Sequence, residues 1–243
     1  MIGTIEEPAA SVSLGLCRRA FGMLFAPRAT FEHLRTQPAW LGMLAALVAV
    51  SATSALIISG TEVGRQAALD QAVGRLEAFG FVLNDSQYAT LERLVPYYGY
   101  ATAALITSAG PIALAVLSAC VFAIFGRAAR DAPTFRQVLA MVTHTGVILA
   151  VQRVMAVPVT LVTESMSTPT NMAALLPMLE ESGFAARFLG SIDLFTVWWT
   201  IILALGIGVL YRRPAGRIVV SCCAAYAALA GIVATLIFLR GGS

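Results

Sequence analysis

The chain has 243 residues, of which 58% are hydrophobic and only 12% are charged, and its mean hydropathy is +0.82. Soluble globular domains carry about 25% charged residues, so the composition excludes an ordinary soluble domain and indicates an integral membrane protein. The net charge is +3, and the basic residues are all arginines that come in twos and threes. Because they form no single basic face, nucleic-acid binding is not expected.

Residues 1–39 are predicted to form a cytoplasmic arm. In "SLGLCRRAFGMLFAPRATF" the apolar positions share one helical face, and Arg18 and Arg19 lie off its centre; the face consists of Leu14, Cys17, Phe21, Leu24 and Phe25. This pattern favours an amphipathic helix that lies in the membrane interface beside anionic lipid. Pro27 is predicted to end that helix, and Thr30 is a candidate cap for a further short turn before Pro38.

Residues 40–243 are predicted to form the membrane domain, a bundle of five transmembrane helices. The apolar runs are long enough to cross about 30 Å of hydrocarbon at about 1.5 Å per residue. They lie at 40–59, 100–125, 138–162, 194–211 and 218–239. The fold class is therefore all-α, with further short helices in the two outer loops.

The first outer loop, residues 60–99, contains two predicted helices. The stretch "TEVGRQAALDQAVGRLEAFG" has apolar residues at helical spacing, and Gly80 marks its end. Asn84 or Asp85 is a candidate cap for a second, short helix that ends before Pro96.

The second outer loop is predicted to contain one more helix, with Thr170 or Asn171 as its cap and Gly183 beyond its end. Two roles remain open for the helices of both outer loops. They form either a lid packed on the ends of the spans or a docking surface for a partner.

Arginine placement predicts the orientation. Ten arginines lie in segments 1–39, 126–137 and 212–217, and five lie in segments 60–99, 163–193 and 240–243. Short loops on the cytoplasmic side of a membrane carry an excess of basic residues, so we expect a cytoplasmic N-terminus and an external C-terminus. Arg18, Arg19, Arg212 and Arg213 are then the basic residues expected at the inner interface.

Motifs of enzymes and cofactor sites are not found: the sequence has no Gly-x-Ser-x-Gly, no phosphate-binding glycine loop, no HExxH and no CxxC. We therefore expect a protein without enzymatic activity, cofactor or metal. Ionisable residues inside spans nevertheless call for a functional hypothesis. The main one is Arg153, in the outer half of the third span, whose long side chain can extend outward toward Glu164.

Polar residues of the third span point in several directions. On a helical projection His144 and Arg153 lie on opposite sides, whereas Thr145 and Gln152 share a third direction. Separate hydrogen bonds between helices explain this pattern. The alternative is a polar cavity near Arg153 and Gln152 that serves as the path of a small-solute or lipid permease.

Asp193 stands at the start of the fourth apolar run, in "FLGSIDLFTVWW", and is expected at the outer mouth of that span. Three roles are open for it: a structural N-cap, a partner for an arginine of another helix, or a proton-transfer group. Asp193, Thr196, Val197, Thr200 and Ala204 form a predicted packing face. Trp198, Trp199 and Ile202 form a predicted lipid face.

The fifth span carries small residues at spacings of three and four positions. They are Ser221, Ala224, Ala228, Gly231 and Thr235. Such a ridge permits close helix contact. Packing inside the bundle is the expected use, and a homo-oligomer contact is the alternative.

Three stretches together resemble the Yip (Ypt-interacting protein) domain family. They are "FAPRATFEHLRTQPAW" before the first span, "APTFRQVLAMVTHTG" before the third, and "FLGSIDLFTVWWTIILALGIG", which is similar to the family's Asp-Leu-Phe-x-x-Trp start of the fourth span. They occur in the family's order, and the resemblance covers nearly the whole chain.

The resemblance implies a compact five-helix bundle with a cytoplasmic N-terminus and no enzymatic activity. Eukaryotic members bind Rab-type GTPases and act in vesicle traffic, but this chain lacks their Asp-Leu-Tyr-Gly-Pro element and the proline just after "THTG". It is therefore most similar to bacterial members of the inner membrane, which implies a scaffold or a subunit accessory to an export transporter. The expected partners are the lipid bilayer and a membrane-protein complex.

Overall fold

The computed structural model describes residues 15–78, 80–126, 132–165, 170–176, 178 and 183–241. Within these ranges the chain is helical and contains no β-strand, which confirms the all-α prediction. The helices are α1 (Leu16–Phe25), α2 (Pro27–Thr36), α3 (Leu41–Gly60), α4 (Glu62–Ala78), α5 (Asp85–Gly126), α6 (Phe135–Thr163), a 3₁₀ turn (Met172–Leu175), α7 (Phe184–Gly190), α8 (Leu194–Leu210) and α9 (Ala215–Gly241).

Four of these helices are long and apolar enough to cross a membrane: α3, α5, α6 and the Ala215–Leu236 part of α9. The apolar α8 is shorter, with 17 residues. The protein is therefore a multi-pass helical membrane protein. The helices α3 and α6 begin and end within three residues of the predicted runs 40–59 and 138–162.

The helices pack into a bundle with α6 near its centre. Helices α3, α5 and α6 contact one another, α6 also contacts α8, and α9 packs against α8 and α7. Helices α1 and α2 cover one end of this bundle, where Phe31 of α2 lies beside Gly206 of α8 and Met141 of α6. That end holds the densest core, because residues 140–148 of α6 are all buried.

The arm differs from its prediction at two positions. Pro27 ends α1 as expected but is also the first residue of α2, where its missing N–H costs nothing. Thr30 is not a cap: it lies inside α2, buried, and its hydroxyl donates to the Ala26 carbonyl at 3.1 Å. On the predicted apolar face, Phe21 is 64% exposed and Phe25 is 81% exposed. Leu14 lies outside the described residues.

The first outer loop forms α4 as predicted, and Gly80 ends it. Gly80 adopts φ 83°, a left-handed conformation that glycine accepts readily, and the Phe81 amide then donates to the Leu76 carbonyl at 3.0 Å. Asn84 caps the next helix: its side-chain oxygen accepts from the Gln87 amide at 2.9 Å.

The prediction that this second helix ends before Pro96 is wrong. Helix α5 continues through Pro96 and Pro111 to Gly126. Beyond Pro96, Gly99 is buried where α5 lies directly against Ser59 of α3. This contact supports the helix on the far side of the proline, so tertiary packing compensates for the one backbone hydrogen bond that proline removes.

Most of the small-residue ridge of the fifth span does not pack inside the bundle, so that expectation is wrong for all its members except Gly231. Ser221, Ala224, Ala228 and Thr235 are exposed. Helix α9 instead buries Ile218, Ala230 and Ala234. The physical reason is that α9 lies at the side of the bundle and contacts α8 with a face other than the small-residue ridge.

Candidate functional site

The fourth apolar segment is broken. Helices α7 and α8 are separated by residues 191–193 and lie one after the other along α9. The Tyr226 hydroxyl of α9 accepts from the Asp193 amide at 3.1 Å and donates to the Ser191 carbonyl at 3.3 Å. Further along α9, Phe188 of α7 lies against Gly231. Residues 184–210 therefore form one interrupted segment that runs antiparallel to α9.

Backbone hydrogen bonds join the break to residues 170–172, as between two antiparallel strands. The Leu194 amide donates to the Thr170 carbonyl at 2.9 Å, and the Met172 amide donates to the Ile192 carbonyl at 2.9 Å. Asn171 caps the following 3₁₀ turn through its side-chain oxygen, which accepts from the Ala174 amide at 2.8 Å. Gly183 lies beyond the end of this turn, as predicted, and is also the N-cap residue of α7.

The Asp193 carboxylate is at the centre of this break and accepts four hydrogen bonds. Oδ1 accepts from the Thr196 amide at 2.9 Å and from the Thr196 hydroxyl at 3.3 Å. Oδ2 accepts from Gln152 Nε2 of α6 at 2.9 Å and from the Thr170 hydroxyl at 2.6 Å. Asp193 is thus the N-cap of α8 and also connects α6, residues 170–172 and α8. Among the described residues no arginine forms a salt bridge with it.

This break lies deeper in the bundle than the sequence predicted. Contacts between Gly99 and Ser59, and between Phe122 and Phe135, show that α3 and α6 run parallel. Gly146 of α6 faces Leu47 of α3. Six residues further along α6, Gln152 is therefore level with a point on α3 about 10 Å, or seven residues, before its end. Asp193, which bonds Gln152, is inside the bundle and not at its outer mouth.

Exposed tyrosines agree with this depth. Tyr97, Tyr98 and Tyr100 are exposed on α5, next to the Gly99 contact with the end of α3. Tyrosine is enriched where a protein surface meets the membrane–water interface. Non-helical backbone below that level must be paired within the protein, because hydrocarbon offers no hydrogen bonds. The contacts of Tyr226 and Thr170 provide this pairing.

A second hydrogen bond joins α6 to α8 about two helical turns further in. Trp199 Nε1 donates to the buried Thr145 hydroxyl at 3.0 Å. Thr145 and Gln152 thus both face α8, as their shared direction predicted. The predicted lipid face of Trp198, Trp199 and Ile202 is wrong, since Trp199 bonds α6 and Ile202 is only 7% exposed. Helix α8 is covered on several sides because α2, α6 and α9 all contact it.

The Trp199–Thr145 bond provides a double-mutant test. Trp199→Phe and Thr145→Val are each expected to lower the free energy of unfolding, since a typical hydrogen bond contributes about 1 kcal/mol. Once one partner is replaced, the second replacement should cost less. Thermal unfolding of the four proteins in detergent measures the coupling, and strictly additive losses would contradict it.

The other predicted polar residues lie apart from the break. Arg153 is exposed, and within the described residues no ion pair joins it to Glu164, which follows α6 in a left-handed conformation with φ 52°. His144 is fully buried, and its Nδ1 donates to the Ala140 carbonyl at 2.8 Å. In the part of the chain that the structure describes, no cluster of three metal-ligating side chains occurs.

The interfacial arginines lie at the end covered by α1 and α2. Arg18 is exposed, whereas Arg19 donates from Nη1 to the Ala39 carbonyl at 2.9 Å and so joins α1 to the start of α3. Arg212 and Arg213 are exposed in the turn between α8 and α9.

Comparison with protein families gives one decisive result: the sequence model of the Yip1 domain matches residues 21–238. The chain belongs to the Yip1 domain family. The match includes the second half of α1, the broken segment and most of α9, so the break is part of the Yip1 domain. No curated protein and no solved structure matches the chain.

Sequence reasoning on this Yip1 domain missed one member of the site. Tyr226 is a single tyrosine in an apolar span, and the only available signal was that a buried tyrosine hydroxyl usually finds a hydrogen-bond partner. Thr170 was identified only as a candidate helix cap, whereas its hydroxyl donates to Asp193.

Proposed function

We propose that this Yip1-family protein is a non-enzymatic scaffold or transporter-accessory subunit of a bacterial inner membrane. The supporting observation is the use of its one carboxylate at the break: Asp193 accepts four hydrogen bonds from three parts of the chain. A carboxylate bonded in this way stabilises one arrangement of helices and has little remaining capacity for proton transfer. Its role is to hold α6, residues 170–172 and α8 together.

We further propose five spans with the N-terminus in the cytoplasm and the C-terminus outside. Residues 184–210 supply the fourth span, because α7 extends the short α8 along α9. The bias of ten arginines over five supports the orientation. The arm helices and the arginine-containing turn before α9 lie at the same end of the bundle, as this topology requires.

Reporter fusions test the topology. Alkaline phosphatase fused after Ser243 should be active, and a fluorescent protein that matures only in the cytoplasm should stay dark at the same position. Fusions placed between α8 and α9, at Pro214, serve as the control and should give the opposite pattern. Inactive alkaline phosphatase together with a bright fluorescent protein at Ser243 would contradict the five-span topology.

A permease is the second candidate, and the broken segment is the observation that favours it. Many transporters place their substrate site where interrupted helices meet, with the helix N-terminus directed at an anionic group. Here the N-terminus of α8 is already occupied by the carboxylate of Asp193. This intramolecular anion supports the scaffold over an anion permease.

Substitution of Arg153 separates the two candidates. Because Arg153 is exposed and makes no ion pair among the described residues, Arg153→Leu should leave folding and partner binding unchanged. Co-purification from native membranes with mass spectrometry measures partner binding, with Gln152→Leu as a control that removes a donor from Asp193. Loss of solute flux in a well-folded Arg153→Leu protein would favour the permease.

A further inference from the structure

An apolar groove opens where α1 meets α3 and α6. Its volume is about 280 Å³, and it is lined by apolar side chains: Ala20 of α1, Met43, Leu47 and Val50 of α3, and Val147 and Val154 of α6. The lining runs from Met43 to Val50 on α3 and from Val147 to Met155 on α6, which is about 10–12 Å at about 1.5 Å per residue. One leaflet contributes about half of a ~30 Å hydrocarbon core, so the groove matches the depth of a single leaflet.

Arginines lie at the end of the groove formed by α1. Arg18 and Arg19 directly precede Ala20, and Arg19 is fixed there by its bond to the Ala39 carbonyl, one turn before Met43. Arg18 is exposed and makes no salt bridge with another described residue. On the same helix, Phe21 and Phe25 are exposed apolar residues suited to an interface. Cationic and apolar surfaces are thus adjacent, with the cationic end at the membrane surface.

We infer that this groove binds one anionic phospholipid. An acyl chain lies against α3 and α6, and the phosphodiester of the headgroup pairs with Arg18 and Arg19. Charge complementarity selects the occupant: a zwitterionic lipid offers the same acyl chain but adds a cation beside the two arginines. A second apolar groove lies between α7 and α9 and is lined by Phe188, Ala228 and Gly231.

Native mass spectrometry of the full-length protein tests this site. The protein in detergent is titrated with dioleoylphosphatidylglycerol or with dioleoylphosphatidylcholine, which have identical acyl chains. We expect one retained phosphatidylglycerol and weaker retention of phosphatidylcholine. Arg18→Gln should lower phosphatidylglycerol binding about fivefold, the contribution expected of one arginine near an anionic lipid. Equal binding of the two lipids would overturn the proposal.

Two pairs of variants separate the headgroup contact from the groove. Ala46→Phe fills the groove and should lower binding of both lipids, whereas Ala228→Phe in the groove beside α7 should not. Arg212→Gln with Arg213→Gln removes charge at the same end of the bundle and should leave the retained lipid in place. Equal losses in these controls would show unspecific lipid association and refute the site. Circular dichroism confirms that each variant is folded.

Discussion

Asp193→Leu is expected to destabilise the protein by roughly 3 kcal/mol, and Asp193→Asn by much less. Leucine removes the cap of α8, which costs about 1 kcal/mol, and leaves the Gln152 amide and the Thr170 hydroxyl without their acceptor, at about 1–3 kcal/mol for each buried donor. Asparagine keeps one oxygen for the Thr196 amide, and its amide group can donate to the Thr170 hydroxyl. Thermal unfolding in detergent, followed by circular dichroism, measures both changes.

Asn84 provides the matched control for this experiment. It is also a helix N-cap, with a 2.9 Å bond from the Gln87 amide, but it is exposed and its cap bonds stay within its own turn. Asn84→Leu should therefore show the cost of a lost cap alone. A severe and equal loss in Asp193→Asn and Asp193→Leu would contradict the structural role and indicate that the charge itself is required.

The capping role of Asp193 was visible in the sequence, but its partners were not. A cap is a local property: the carboxylate and the Thr196 amide are three residues apart. Thr170 is 23 residues away in the chain, Gln152 is 41 and Tyr226 is 33. Helical periodicity indicates which side chains share a face, but it contains no information on which distant segment meets that face.

The interruption between α7 and α8 was missed for a related reason. A hydropathy pattern detects an apolar run, and residues 194–211 form one. Helix α7 has only seven residues and contains Arg187, so a search for long uncharged apolar runs does not include it. Only their contact with α9 identifies them as a continuation of the same segment.

The lipid face and the packing face of two helices were misassigned from residue size. Trp199 was expected to face lipid because it is bulky, yet its indole N–H finds Thr145. The small residues of α9 were expected to pack, yet most are exposed. Small residues permit a close contact without specifying one, and an aromatic residue with a polar atom suits a helix interface as well as lipid.

Gly99→Ala is expected to be strongly destabilising, by about 3 kcal/mol, toward the upper part of the range for overpacking a well-packed interface. Gly99 is where α5 lies closest to α3, and an added Cβ would overlap both Oγ and Cβ of Ser59. Replacing Ser59 by alanine cannot relieve this overlap, because its Cβ remains. The two helices would have to separate, and the contact that supports α5 beyond Pro96 would weaken.

Gly74 of α4 is the control, because it is exposed and a Cβ added there meets no atom within 4 Å. Gly74→Ala should be neutral or should stabilise α4 by up to about 1 kcal/mol, since alanine is the better helix former. The unfolding midpoints of the two variants give the comparison. Equal effects would show that α5 does not pack against α3 at Gly99, and the parallel arrangement of α3 and α6, from which the depth of Asp193 follows, would lose one of its two supports.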